Sequence, residues 1–96
     1  MHAKKMQQKV EDAVLNAYET MYRIAYTYVK NEEDALDIVQ ESAYKAIRNC
    51  EQVKKERYIQ TWICRIVINT SMDFLRKTQR EFPIEELYEV NEPGIT

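Results

Sequence analysis

One stretch of the sequence repeats side chains suited to binding nucleic acid at helical spacing. Its members follow one another at intervals of three or four residues and are Tyr58, Trp62, Arg65, Asn69, Met72 and Arg76. That spacing puts them on one face of an α-helix. The arginines can neutralise phosphates, and the amide of Asn69 offers both a donor and an acceptor to a base edge. Each base stacked on an aromatic face contributes about 1–3 kcal/mol of binding.

The positive charge of the chain is concentrated around this stretch. Residues 54–80 hold seven basic and two acidic side chains, although the whole chain has a net charge of −2. Basic residues flank the predicted face at both ends, namely Lys54, Lys55, Arg57 and Lys77. Residues 81–96 hold five acidic side chains and no basic one. The local surplus, rather than the overall balance, indicates a nucleic-acid surface.

Two other interpretations of this face stay open at the level of sequence. Trp62 is large enough to be a plain core residue, with the arginines beside it simply solvated. Alternatively, the chain is a helical protein–protein interaction module whose basic face docks an acidic protein partner. Binding of single-stranded oligonucleotides would distinguish that module from a nucleic-acid-binding domain.

The sequence offers no set of residues for catalysis or metal binding. His2 is the only histidine and Gly94 the only glycine, so neither a His-dependent catalytic set nor a glycine-rich phosphate loop can be assembled. Cys50 and Cys64 lack the spacing of a metal motif, and we interpret both as small, partly buried residues. We therefore expect no enzymatic activity, no metal and no cofactor.

No apolar run approaches the roughly 20 residues of a membrane span, and the N-terminus lacks the apolar stretch of a signal peptide. We therefore expect a cytoplasmic protein with no direct membrane contact.

Scarcity of glycine argues against tight hairpins and favours helices. The predicted fold is all-α, a small bundle of three or four helices.

Apolar periodicity predicts three helices. The first runs from about Gln7 to Val29, and the second begins after Asn31, a good N-cap. A loop of about eight residues around Asn49 to Lys55 precedes a long third helix, from about Arg57 to Arg80, which Pro83 ends.

The second helix has two distinct faces. Its apolar stripe consists of Ala35, Leu36, Ile38, Val39, Ala43, Ala46 and Ile47. A separate polar row points away from this stripe and consists of Glu33, Asp37, Gln40, Glu41 and Tyr44. That row is either a solvated face or an acidic docking face for a basic partner.

Two segments carry a resemblance to a known family: AYTYVKNEEDALDIVQESAYKAI and TWICRIVINTSMDFLRK. Together they resemble region 2 of the extracytoplasmic-function sigma factors of bacterial RNA polymerase, over roughly residues 14–80. We expect a region 2 domain at residues 1–82 and an acidic interdomain linker at 83–96. The family's C-terminal helix-turn-helix domain has no room in this chain, so we expect an isolated region 2 fragment.

The resemblance implies two binding faces. In that family the D-x-x-Q-E motif docks on a coiled coil of the polymerase β′ subunit, which carries over to Asp37, Gln40 and Glu41. The third helix and its preceding loop read the promoter −10 element as single-stranded, non-template DNA, with one base flipped into a loop pocket. The predicted DNA-binding residues are Lys54, Lys55, Arg57, Tyr58, Trp62, Arg65, Asn69, Arg76 and Lys77.

The resemblance also implies a regulatory partner, a membrane-anchored anti-sigma factor that occupies the polymerase- and DNA-binding faces. The chain departs from the family at two points. Its loop, EQVKKERY, has no glycine, and Cys64 stands where an aromatic residue often precedes the helix arginine. The identity of the residues that line the base pocket therefore stays open.

Overall fold

The computed structural model describes residues 2–81, with side chains from 5 to 78. This part of the chain contains no strand, and the all-α prediction is confirmed. The helices are α1 (His2–Asn16), α2 (Tyr18–Val29), α3 (Glu32–Arg48) and α4 (Ile59–Glu81), with 3-10 turns at Cys50–Gln52 and Glu56–Tyr58. None of the described helices is long and apolar enough to cross a membrane. The predicted linker at 83–96 lies outside the described residues.

The prediction of one continuous first helix is wrong. The chain forms two helices that meet at Ala17, whose φ of −97° and ψ of 6° depart from helical values. Hydrogen bonding continues across the bend, because the Ala17 N–H donates to the Ala13 carbonyl and the Ala17 carbonyl accepts from the Met21 N–H, each at 2.8 Å. Alanine is an excellent helix former. Ala17 is itself buried, and both halves bury residues in one core, Val10 from α1 and Met21 from α2.

The corner between α2 and α3 follows the predicted capping. Lys30 ends α2 in the left-handed region with a φ of 60°, and its N–H donates to the Tyr26 carbonyl at 2.8 Å. The Asn31 side-chain oxygen then accepts from the Asp34 N–H at 2.8 Å. Asn31 is thus the N-cap of α3 that the sequence predicts.

α2 carries three tyrosines at four-residue spacing, Tyr18, Tyr22 and Tyr26. The rings of Tyr22 and Tyr26 lie 5.9 Å apart. Partial burial is the main cause that raises the pKa of Tyr22 above its ordinary value, and Glu32, Tyr26 and Tyr18 raise it further. The Tyr22 hydroxyl is therefore neutral at physiological pH and has a packing role.

The core lies where α2, α3 and α4 pack against one another, around the fully buried Met21, Ile38 and Ile63. α1 covers one side of this core with Met6 and Val10 and begins earlier than the predicted start at Gln7. The apolar stripe predicted for the second helix lies in or against this core, except for Leu36.

The loop between α3 and α4 is attached to the core by two small residues. Cys50 is 6% exposed and Val53 is 4% exposed. Cys64 is half-buried, and both cysteines are free, as expected for small packing residues. The two buried side chains set the position of the polar loop residues on either side of them.

We predict that Ser42→Ala stabilises the domain. The Ser42 hydroxyl is fully buried and has no hydrogen-bond partner among the described residues. An unsatisfied buried hydroxyl costs about 1–3 kcal/mol, and alanine is also the better helix former. The free energy of unfolding, measured by urea denaturation, should therefore rise by about 1 kcal/mol.

Ser71→Ala is the matched control. The Ser71 hydroxyl is also buried but donates to the Val67 carbonyl at 2.8 Å, so its removal should give a smaller gain or none. Unchanged or reduced stability in Ser42→Ala would contradict the prediction.

Candidate nucleic-acid groove

A groove with polar and apolar walls runs along the border between α4 and the loop before it. Two adjoining pockets of about 320 and 200 Å³ share Gln52 and Trp62, and together we call them the Trp62 groove. The groove is lined by Lys45, Asn49, Gln52, Val53, Lys54, Tyr58, Thr61, Trp62, Arg65, Ile66, Asn69 and Thr70. Trp62 packs against the core with part of its surface and lines the groove with another part. The core and binding interpretations of Trp62 are therefore compatible.

All charged side chains that line the Trp62 groove are basic. They are Lys45, Lys54 and Arg65, and no acidic side chain is among the described residues of its wall. Amide groups of Asn49, Gln52 and Asn69 accompany them. A concave site with cations, amides and an indole suits a ligand that combines negative charge with flat polar rings.

Two of the α4 side chains predicted to contact DNA, those of Asn69 and Arg65, are available for binding. Asn69 and Arg65 are both exposed, and neither makes a side-chain hydrogen bond or ion pair within the described part of the chain. α4 positions them because its adjacent face is buried through Ile63 and Val67. Both sides of the Asn69 amide therefore remain free for a base edge.

Lys45 connects the groove to α3. Its ammonium lies 3.2 Å from the Glu41 carboxylate and donates to the Thr70 hydroxyl at 3.2 Å. Asn49 donates to the Lys45 carbonyl at 2.9 Å, which leaves the Asn49 side-chain oxygen as an acceptor. These interactions hold one cation at the α4 side of the groove.

The loop end of the groove is closed by Tyr58, whose ring is stacked under Arg57. The Arg57 guanidinium lies 5.1 Å from the ring centroid and donates to the Tyr58 hydroxyl at 3.3 Å. Tyr58 is 51% exposed, so a large part of its surface is accessible to a ligand.

Four of the predicted DNA-binding residues lie outside the Trp62 groove. Lys55 and Arg57 line a separate cleft between the loop and α1, which we call the α1 cleft. Arg76 and Lys77 line a recess with Glu41, where Arg76 is paired with Asp73. The structure thus brings Lys54, Tyr58, Trp62, Arg65 and Asn69 together in one groove. Of the other four, Arg57 contacts the groove residue Tyr58, and Lys55, Arg76 and Lys77 do not line the groove.

The predicted polymerase-binding residues share one exposed face of α3. Asp37, Gln40 and Glu41 are all exposed, and Asp37 has no ion-pair partner among the described residues. Gln40 borders an apolar recess of about 210 Å³ with the exposed side chains of Leu15 and Tyr18. This face therefore combines carboxylates with adjacent apolar surface, a composition suited to docking a protein.

Among the groove residues that sequence reasoning did not name as binding residues, three carry a charge or an amide: Lys45, Asn49 and Gln52. Lys45 belongs to α3, and its approach to Thr70 spans 25 positions of sequence, so helical periodicity within α4 carries no signal for it. Asn49 and Gln52 were detectable as amides within the predicted loop. Within the described residues, no cluster of histidine, cysteine or acidic side chains could hold a metal ion.

Comparison with known proteins identifies relatives of this chain. A family model described as sigma-70 region 2 matches residues 14–81. The chain is 49% identical over 59 residues to RNA polymerase sigma factor SigV of Bacillus subtilis (strain 168). The matched stretch covers 62% of this chain and 36% of that protein. The motif residues also resemble the sigma-V type, in agreement with this match.

A second relative matches over a longer stretch. The ECF RNA polymerase sigma-E factor of Haemophilus influenzae is 30% identical over 79 residues, which covers 82% of this chain and 42% of that protein. The chain thus spans less than half the length of these curated relatives. No solved structure matches the chain. The family predicted from the motifs is confirmed by these matches.

The charge of the groove gives a prediction that the single tryptophan can report. Relative to N-acetyltryptophanamide as a neutral reference, iodide should quench Trp62 fluorescence more efficiently than caesium, because the cations around the indole attract an anion and repel a cation. The difference should shrink as sodium chloride screens these charges.

The double variant Lys54→Gln, Arg65→Gln should reduce the same difference, since it removes two of the three cations that line the groove. Lys5→Gln on α1 is the control, because Lys5 is exposed and does not line the groove. Equal quenching by both ions at low salt would contradict the charge assigned to the groove.

Proposed function

The chain belongs to the sigma-70 family as a region 2 domain of the extracytoplasmic-function group, and on this premise we propose that it acts in transcription initiation. In this proposal the domain binds core RNA polymerase through α3 and reads the promoter −10 element as single-stranded DNA through the Trp62 groove. An anti-sigma factor, anchored in a membrane, regulates it by covering these faces.

One observation carries the DNA-binding part of the proposal: every charged side chain lining the Trp62 groove is basic. A single strand presents phosphates and exposed bases at once. Lys54, Arg65 and Lys45 can neutralise the phosphates, while Tyr58 and Trp62 offer faces on which bases stack. An acidic protein surface would form ion pairs with the cations, but it would not require stacking on the indole or hydrogen bonds to the free amides.

Sequence selectivity in this proposal comes from Asn69. Its amide lies exposed beside Trp62, so a base stacked on the indole has its edge within reach of a donor and an acceptor. Asn49 and Gln52 add polar atoms on the opposite wall, where a flipped base can replace the hydrogen bonds that it loses on leaving the stack.

We predict that Asn69→Ala weakens binding of the preferred strand selectively. The strand is first obtained by selection from randomised single-stranded oligonucleotides, and its affinity is then measured by fluorescence anisotropy beside that of a scrambled strand. Removal of the bidentate amide hydrogen bonds should cost about 1–3 kcal/mol on the preferred strand and little on the scrambled one.

Gln7→Ala is the control, because it removes an exposed side-chain amide on α1 that does not line the groove. An equal reduction on both strands, or none, would reject base reading by Asn69. If no single strand binds the wild-type domain, the alternative of an acidic protein partner for this face is favoured instead.

Docking on polymerase is proposed for Asp37, Gln40 and Glu41, the residues that match the family motif. Asp37 is the better test position. Its carboxylate is unpaired within the described chain, whereas Glu41 also contacts Lys45 of the Trp62 groove. A change at Glu41 would therefore disturb both faces together.

We predict that Asp37→Lys lowers affinity for a polymerase β′ coiled-coil fragment by tenfold or more, because it places like charge against a basic partner surface. Biolayer interferometry with the immobilised fragment measures the change. Glu19→Lys makes the same charge change at an exposed position on another helix, α2, and should bind as wild type. Unchanged binding of Asp37→Lys, with a normal circular dichroism spectrum, would reject docking through this face.

A further inference from the structure

The α1 cleft is an open cleft of about 770 Å³ that the proposed base-reading groove does not include. α1 contributes Lys9, Asp12 and Asn16 to its polar wall, and the loop contributes Lys55, Glu56 and Arg57. Three cations and two carboxylates thus line an open cleft, with both signs of charge on each wall.

One of these carboxylates is held by an exchangeable ion pair. The Lys9 ammonium lies 3.0 Å from the Glu56 carboxylate, and their side chains are 44% and 65% exposed. Ion pairs as exposed as this one contribute at most about 1 kcal/mol. A phosphate entering the cleft can therefore replace Glu56 as the partner of Lys9 at little cost.

The α1 cleft and the Trp62 groove lie on opposite sides of the same loop. Lys54 and Tyr58 line the groove, and Lys55, Glu56 and Arg57 line the cleft. Because Lys54 to Arg57 can span no more than about 11 Å, the two sites are neighbours. Arg57 joins them directly, since its guanidinium is stacked over Tyr58 while it also lines the cleft.

We propose that the α1 cleft is a second nucleic-acid subsite, which binds the backbone phosphates of nucleotides that extend beyond the Tyr58 end of the groove. Lys55 and Arg57 receive the strand as it crosses the loop, and Lys9 exchanges the Glu56 carboxylate for a phosphate. This subsite holds the strand without reading its sequence, because its cations bind phosphates that are the same at every nucleotide. The proposal rests on the proposed function, since the strand must first occupy the groove.

The test compares strands of different length. The shortest strand that retains selective binding is measured beside the same strand lengthened with thymidines at its 5′ end or at its 3′ end. In the wild-type domain, lengthening at one end should raise affinity and lengthening at the other end should not.

Lengthening the strand raises the affinity of the wild-type domain by some factor. Lys9→Gln should reduce this factor by about two- to fivefold, the range of one exposed ion pair, and Lys55→Gln should do the same. Lys9→Gln, at a position outside the predicted DNA-binding residues, should leave the affinity for the shortest strand unchanged. The slope of log affinity against log salt for the lengthened strand should fall by about 0.7 for each phosphate that the variant no longer neutralises. Lys5→Gln, on the same helix but outside the cleft, should retain the full increase.

Glu56→Gln provides a test in the opposite direction. It frees Lys9 before the strand arrives, so affinity for the lengthened strand should rise about two- to fivefold. Glu51→Gln makes the same charge change in the same loop outside the cleft and should raise affinity less.

The possible failures are distinguishable. If the shortest strand binds selectively but lengthening adds no affinity, or if Lys9→Gln retains the full increase, the α1 cleft is not a subsite and the proposed function stands. If no strand binds selectively at any length, the proposed function itself fails.

Discussion

The position of each polar site on this domain depends on how α4 buries one of its faces. Ile59, Ile63 and Val67 are each at most 3% exposed, and full burial of such side chains contributes about 1.5–3 kcal/mol apiece. Because an α-helix turns once in 3.6 residues, burial of this face sets the directions of all the others. Trp62 and Asn69 must then lie along its border. Rotation of α4 to move the groove would expose the aliphatic side chains to water.

Lys45 makes the two proposed binding faces electrostatically dependent on each other. Its side chain is 30% exposed and contacts both the Glu41 carboxylate of α3 and the Thr70 hydroxyl of α4. The same ammonium supplies one of the three positive charges of the Trp62 groove. A partner that binds the Glu41 carboxylate therefore also changes the electrostatic potential in the groove.

Much of this architecture could be predicted from the sequence because the relevant signals are local. The Asn31 cap depends on a side chain and a backbone amide three positions apart. The apolar stripes of α3 and α4 follow from helical periodicity, which also separated Asn69 and Arg65 from the core. The family motifs were likewise continuous stretches of sequence. In each case the residues that interact, or that share a face, lie within a few turns of one helix.

The sequence by itself determined the helical class, the cap of α3 and the two faces of α4. Only the tertiary structure decided that the chain bends at Ala17, that Lys45 reaches the groove, and that Lys55 and Arg57 line a different cleft from Trp62. These features depend on packing between elements distant in sequence, and on a loop whose direction is set by the burial of Cys50 and Val53. The helix propensity of individual residues carries no information about such packing. The packing is decided when the helices assemble and bury their apolar faces against one another.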